Sequence, residues 1–161
     1  MTDWLNPSQQ RAWLAYMRVY HRLEYEMNRQ LQAECGLSLG DYTVLNALSN
    51  AKGHRMQLTG LAILIGWERS RLSHHLMRMT QRGLVDRLQS DIDGRATDAM
   101  LTTAGRKAIK AAAPSHVAWV RQLFFSDLDK AKEGQLADIL TSVYETILRE
   151  GTLPVPAESS G

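Results

Sequence analysis

LAILIGWERSRLSHHLMRMTQRGLVDRL, residues 61–88, sets two helical patterns, two glycines and a strand pattern end to end. Leu61, Ala62, Leu64 and Ile65 fill a short helix for which Thr59 is the expected cap. Gly66 supplies the backbone freedom of a tight turn, and Ala62, four residues earlier, is small enough to let two helices cross closely. Leu61, Ile65 and Leu72 fall at spacings that pack the pair together. The second helix is predicted from about Glu68 to Arg82, with Gly83 as its C-terminal stop. Leu72, Leu76 and Met79 share one face of it, which leaves Arg69, Ser70, Arg71, Ser73, His74 and Arg78 on the other. His75 is expected to sit half-buried within the module. Beyond Gly83, Leu84–Leu88 and Thr97–Leu101 read as short strands around SDIDGR, which holds the Asp and Gly of a hairpin turn.

The flanks are helical. From Pro7 to Ala33, Trp13, Tyr16, Met17, Tyr20, Leu23, Met27 and Leu31 recur at three and four, an apolar stripe with Asn6 as cap and Pro7 at the first position. Ser38 opens a shorter helix carrying Tyr42, Leu45 and Leu48, broken at Asn50–Gly53. Thr102 or Thr103 caps a helix running to about Phe125, with Pro114 inside it as a kink or join. Ser126 or Asp129 starts the last helix, whose stripe is Leu136, Ile139, Leu140, Val143 and Ile147. The tail 151–161, with two prolines and two serines, is expected to be disordered. The fold class is therefore mainly α with a small β-hairpin wing: a winged helix-turn-helix module at 36–113 between helices at 1–35 and 114–150.

The chain's 161 residues can bury a real core, and 44% hydrophobic with 22% charged residues excludes the disordered and fibrous classes. No apolar run approaches the roughly 18 residues of a membrane span. The N-terminus lacks the basic-then-apolar layout of a secretory signal, and the lone Cys35 agrees with a reducing compartment, so a cytoplasmic location is expected. Charge is unevenly placed. Residues 52–110 hold eleven Lys and Arg against five Asp and Glu, a net of +6, while the remainder nets −4. A basic centre suggests a polyanionic partner.

In a winged helix-turn-helix the second helix lies in the DNA major groove with its N-terminal residues at base edges. Arg can grip guanine bidentately, and Ser and His can donate to bases or phosphates. Arg95 at the wing tip is placed to enter the adjacent minor groove, with Asp93 expected to accept a hydrogen bond from its guanidinium. DNA-contact residues are thus Arg69, Ser70, Arg71, Ser73, His74, Arg78, Arg95 and Asp93. Glu68 at the helix cap suits the dipole but repels phosphate, so it is expected to point away or pair with Arg69 or Arg71.

These residues carry a resemblance. The run Ile65–Arg106 resembles the MarR (multiple antibiotic resistance type) family of transcriptional regulators in its recognition helix, in Gly83–Arg87 opening the wing strand, in the Asp93-x-Arg95 tip, and in Leu101–Gly105 starting the next helix. Glu68, Trp67 and His75 depart from the family's usual residues. The resemblance implies a homodimer whose first and last helices interlock, a pseudo-palindromic double-stranded DNA operator, and a small aromatic or anionic effector that releases it. The function expected is that of a ligand-responsive repressor. The other readings are a winged module for protein–protein assembly without DNA, and a metal-responsive regulator.

Trp13, Tyr16, Tyr20 and Tyr42 are candidate effector-pocket residues, or else plain core and interface packing. Adjacent His74 and His75 diverge by about 100° around a helix and cannot chelate one ion as an i, i+4 pair would. No Cys and His spacing marks a zinc site, so no metal or cofactor is expected. Glu34 beside Cys35 argues against a reactive thiolate. Nucleophile elbows, phosphate loops and dinucleotide fingerprints are absent from the sequence, and no enzyme is expected.

Overall fold

The structure, a computed structural model, describes residues 4–157. Its elements are α1 (Pro7–Cys35), α2 (Leu39–Asn50), a 3-10 turn (Lys52–His54), β1 (Arg55–Gln57), α3 (Leu58–Ile65), α4 (Arg69–Gln81), β2 (Val85–Gln89), β3 (Thr97–Leu101), α5 (Thr103–Phe124) and α6 (Lys130–Glu150).

Local chemistry sets most boundaries. Asn6 and Gln9 form a reciprocal capping box at α1, and Ser38 and Asp41 form another at α2. Thr102 caps α5 by accepting from the Gly105 amide, and Asp129 caps α6 by accepting from the Lys132 amide. Gly36, Gly66 and Gly83 close α1, α3 and α4 in the left-handed region, at φ 65°, 68° and 71°. The expected Thr59 cap is incorrect. Helix α3 begins at Leu58 after Gln57, without a side-chain cap, because Arg55–Gln57 is a strand that delivers the chain directly into the helix.

That strand also enlarges the hairpin. The sheet has three antiparallel strands in the order β1-β3-β2, with Met56 opposite Ala99 and Arg87 opposite Ala99 on the other side. Three residues are too few for a visible period-2 pattern, so the sequence shows only two of the strands.

One core unites α2, α3, α4, the sheet and the first half of α5. Val44, Leu45, Leu48, Leu61, Leu72, Leu76, Met79 and Val85 are fully enclosed there. Burying each such side chain contributes about 1.5–3 kcal/mol. Helix α5 packs on α1 and α2, and it runs unbroken through Pro114, so the expected boundary at 114 falls inside a helix. The two ends of the chain are different. Leu31 and Gln30 are the buried residues of α1, and α6 has none. Their stripes (Trp13, Tyr16 and Tyr20; Ile139, Leu140, Val143 and Ile147) lie open to solvent in the single chain. Residues 151–157 carry neither helix nor strand, and the rest of the expected tail, 158–161, lies outside the described residues. Among the described residues no helix is long and apolar enough to cross a membrane.

Candidate nucleic-acid interface

Helix α4 buries Leu72, Leu76 and Met79 against α2, α3 and the sheet, which turns the opposite side outward. Arg69, Ser70, Arg71, His74 and Arg78 are all exposed there. Met77, about half exposed, and Gln81 share that side, since Ser70, His74, Met77, Arg78 and Gln81 follow helical spacing. Ser73 is half-buried, and its hydroxyl accepts from the Arg87 guanidinium of β2 at 3.3 Å. Arg87 was not among the expected residues, and it belongs to the same face.

At the cap of α4, the ion pair expected as one alternative for Glu68 does not form, and the side chain is exposed. Glu68 precedes the helix in extended backbone, makes no side-chain cap bond, and forms no ion pair with Arg69 or Arg71 among the described residues. Arg71 instead lies over the Trp67 ring, its guanidinium carbon 4.1 Å from the centroid. The large Trp67 offers a cation–π contact.

The wing is held from its base. Arg55 of β1 donates to Asp98 at 2.6 Å, to Asp91 at 2.8 Å and to the Gln89 carbonyl at 2.9 Å. The bond to Asp98 and the charges of Asp91 and Asp98 raise the pKa of Arg55, despite some opposing desolvation. Buried Ser90 accepts from the Ile92 and Asp93 amides and from Gln57, and the Gln89 amide donates to the Gly94 carbonyl. Arg95 stands exposed at the tip. The expected Asp93 contact is different in kind: its carboxylate accepts from the Arg95 backbone amide at 3.1 Å and not from the guanidinium. Asp93 therefore shapes the turn and leaves the Arg95 side chain free to reach outward.

Behind α4, buried Asp41 joins three segments. Its carboxylate accepts from the Ser38 amide, from His75 Nε2 at 3.0 Å and from Arg82 at 2.6 Å, and Arg82 also donates to the Gly36 carbonyl. Burial pushes the Asp41 carboxyl upward, but the bonds from His75, Arg82 and Ser38 outweigh it and hold it well below the usual carboxylate range. His75 is half-buried as expected, because Asp41 draws it inward. No sequence signal joins Asp41 to His75 and Arg82, which lie 34 and 41 residues away.

The expected effector residues do not converge. Trp13, Tyr16 and Tyr20 form an exposed ladder along α1, with ring centroids 5.8 and 6.3 Å apart. Tyr42 packs on His116 at 4.6 Å and near Cys35, about 22 Å along α1 from Tyr20 at the helical rise of 1.5 Å per residue. Burial raises the Tyr42 pKa, with Cys35 adding to it. Tyr42, Asn46, His54, Arg106, Ile109 and Lys110 line a concavity of about 430 Å³ between α2 and α5. A second, of about 420 Å³, lies between α1, α2 and the α3–α4 turn, lined by His21, Glu24, Tyr25, Asn28, Trp67 and Arg71 among others. Among the described residues no group of three His, Cys, Asp or Glu is arranged to hold a metal ion. Cys35 Sγ lies 3.6 Å from the Ser115 hydroxyl.

Known structures share this architecture. AbsC, a MarR family transcriptional regulator from Streptomyces coelicolor, is 34% identical, with 91% of this chain and 98% of that one covered at a TM-score of 0.83. Sco3205, a MarR family transcriptional regulator from the same organism solved in complex with DNA, is 33% identical, covering 94% and 98% at 0.86. The transcriptional regulator MOSR of M. tuberculosis, also in complex with DNA, is 25% identical, covering 84% and 96% at 0.65. No family profile and no curated protein sequence matches the chain.

Proposed function

The chain belongs to the MarR family of transcriptional regulators, and from that premise we propose that it is a cytoplasmic repressor that binds a pseudo-palindromic DNA operator as a homodimer. The observation that carries this reading is the exposed row Arg69, Ser70, Arg71, His74 and Arg78 beside a braced wing that presents Arg95. Sco3205 and MOSR, each solved with DNA, support DNA as the partner. The α4 row reads base edges in the major groove, with Ser73 and Arg87 at its margin. Arg95 enters the minor groove, and Asp93 sets the turn that aims it.

The open apolar stripes of α1 and α6 support the homodimer. A monomer rarely leaves such a surface uncovered, and a two-fold partner covers both copies at once. Residues 1–35 and 114–150 thus form the dimer lobe and 36–113 the DNA lobe, with α5 belonging to both. Trp13, Tyr16 and Tyr20 take an interface role. A small aromatic acid is the proposed effector, seated beside Tyr42, where Arg106 and Lys110 supply positive charge. Its entry between α2 and α5 changes the spacing of the two recognition helices and releases the operator.

Selection of bound fragments from random duplex DNA tests the reading. The expected product is an inverted repeat with half-sites one helical turn apart, about 10 bp, or a multiple of it. Failure to enrich any sequence over the starting pool contradicts it.

A further inference from the structure

We propose that Asp41 is a positioning residue for DNA recognition: it fixes the tautomer of His75, which makes that ring an acceptor for Arg78 and holds the Arg78 guanidinium on the outward face of α4. The inference rests on the DNA-binding reading for what Arg78 touches, whereas the tautomer itself is independent of DNA.

The geometry allows one assignment. Asp41 Oδ2 accepts from the Ser38 amide at 3.0 Å and from Arg82 at 2.6 Å, and Oδ1 receives His75 Nε2 at 3.0 Å. An ionised carboxylate only accepts, so Nε2 carries the proton. The other ring nitrogen, Nδ1, lies 3.2 Å from an Arg78 guanidinium nitrogen. A guanidinium only donates, so Nδ1 presents its lone pair. Two separate contacts on opposite sides of the ring thus require the same neutral tautomer.

The ring has little room to choose otherwise. Trp67 meets it edge-on with centroids 5.3 Å apart, and Gly40 lies so close that a Cβ there would stand 2.7 Å from His75 Cε1. Arg82, two turns further along α4, ties the same carboxylate to the Gly36 carbonyl at the end of α1. One buried side chain therefore sets both the seat of α4 on the α1–α2 corner and the orientation of a residue on its exposed face.

Asp41→Asn separates this role from simple anchoring. Ser38 and Arg82 only donate, so they select the amide oxygen and turn the NH2 towards His75. Nε2 must then accept, the proton moves to Nδ1, and Arg78 loses its acceptor. The test uses the full chain labelled with 15N-histidine at pH 8, where an ordinary imidazole is neutral, together with affinities for a selected operator and a scrambled duplex.

The expected result is an Nε2–H ring in the wild type and an Nδ1–H ring in Asp41→Asn. The operator-to-scrambled affinity ratio falls roughly tenfold in Asp41→Asn and in His75→Leu, about the effect of one lost base contact. His75→Gln, whose amide can donate to Asp41 and accept from Arg78, retains most of the ratio. An Nδ1–H wild-type ring overturns the inference, as does a tautomer switch that leaves the ratio unchanged. If Asp41→Asn does not fold, the wild-type spectrum and the Leu and Gln pair decide the matter. A wild type that binds no duplex contradicts the DNA reading, and the wild-type tautomer still decides the link from Asp41 to His75.

Discussion

Replacing Gly105 by alanine sets helix propensity against packing, and the structure says which wins. In an unhindered helix the change stabilises by about 1 kcal/mol. At Gly105, however, a Cβ would lie 2.0 Å from the Leu84 carbonyl oxygen, a backbone atom that cannot rotate aside. An ordinary contact of about 3.5 Å requires the start of α5 to move about 1.5 Å from the α4–β2 corner. That shift disturbs the Thr102 amide bond to Leu84 at 3.3 Å and the Thr102 hydroxyl bond to Gly83 at 2.6 Å. Overpacking costs about 1–3 kcal/mol and each weakened bond about 1 kcal/mol. After the propensity gain, the net loss is about 2–4 kcal/mol. At roughly 2–4 °C per kcal/mol for a chain of this size, Tm falls by about 4–16 °C in a thermal melt followed by circular dichroism. Gly134, in α6 with nothing within 4 Å of its would-be Cβ, is the control. There alanine raises stability by about 0.5–1 kcal/mol. If Gly105→Ala were as stable as Gly134→Ala, the packing argument would be wrong.

Three other outcomes are expected. Burial holds the His116 pKa below 6.5, so the unfolded chain takes up its proton more readily. Stability is full above about pH 6.5 and declines as pH falls from there through the folded-state value. His116→Gln should flatten that decline in urea melts from pH 7.5 to 5.5, and an unchanged slope would show that other groups carry it. Arg95→Ala weakens operator binding by about 1–3 kcal/mol in titrations of labelled duplex, whereas unchanged affinity would remove Arg95 from the interface. Val143→Asp, on the open stripe of α6, should give a monomer in sedimentation velocity where the wild type is a dimer, and a wild type already monomeric would refute the role given to that stripe.

Local signals made much of the fold legible. Asn6, Ser38, Gly36, Gly66 and Gly83 mark helix ends through backbone chemistry that acts within a few residues, and the structure uses each of them. Periodicity likewise separated Leu72, Leu76 and Met79 from the exposed side of α4. Signals that depend on distant partners were not readable. Strand β1 exists because β3 pairs with it, and its presence displaces the expected Thr59 cap. Arg55 gives no local hint that it braces a wing 34 to 43 residues away. The sequence puts Asp93 and Arg95 in one turn, but two residues of spacing do not distinguish a backbone bond from a guanidinium bond. Residue type alone groups Tyr42 with the α1 aromatics, whereas the α2–α5 packing carries it elsewhere.

The salt dependence of duplex binding shows whether this chain grips DNA through its arginines. A dimer that neutralises about six phosphates with the arginines of α4 and the wing loses affinity along a log–log slope of roughly −5. The expected result is tight retention of the selected operator at about 50 mM salt, a steep linear loss towards about 200 mM, and a shallower slope for Arg69→Ala. A slope near zero, or no retention of duplex DNA at low salt, would contradict it.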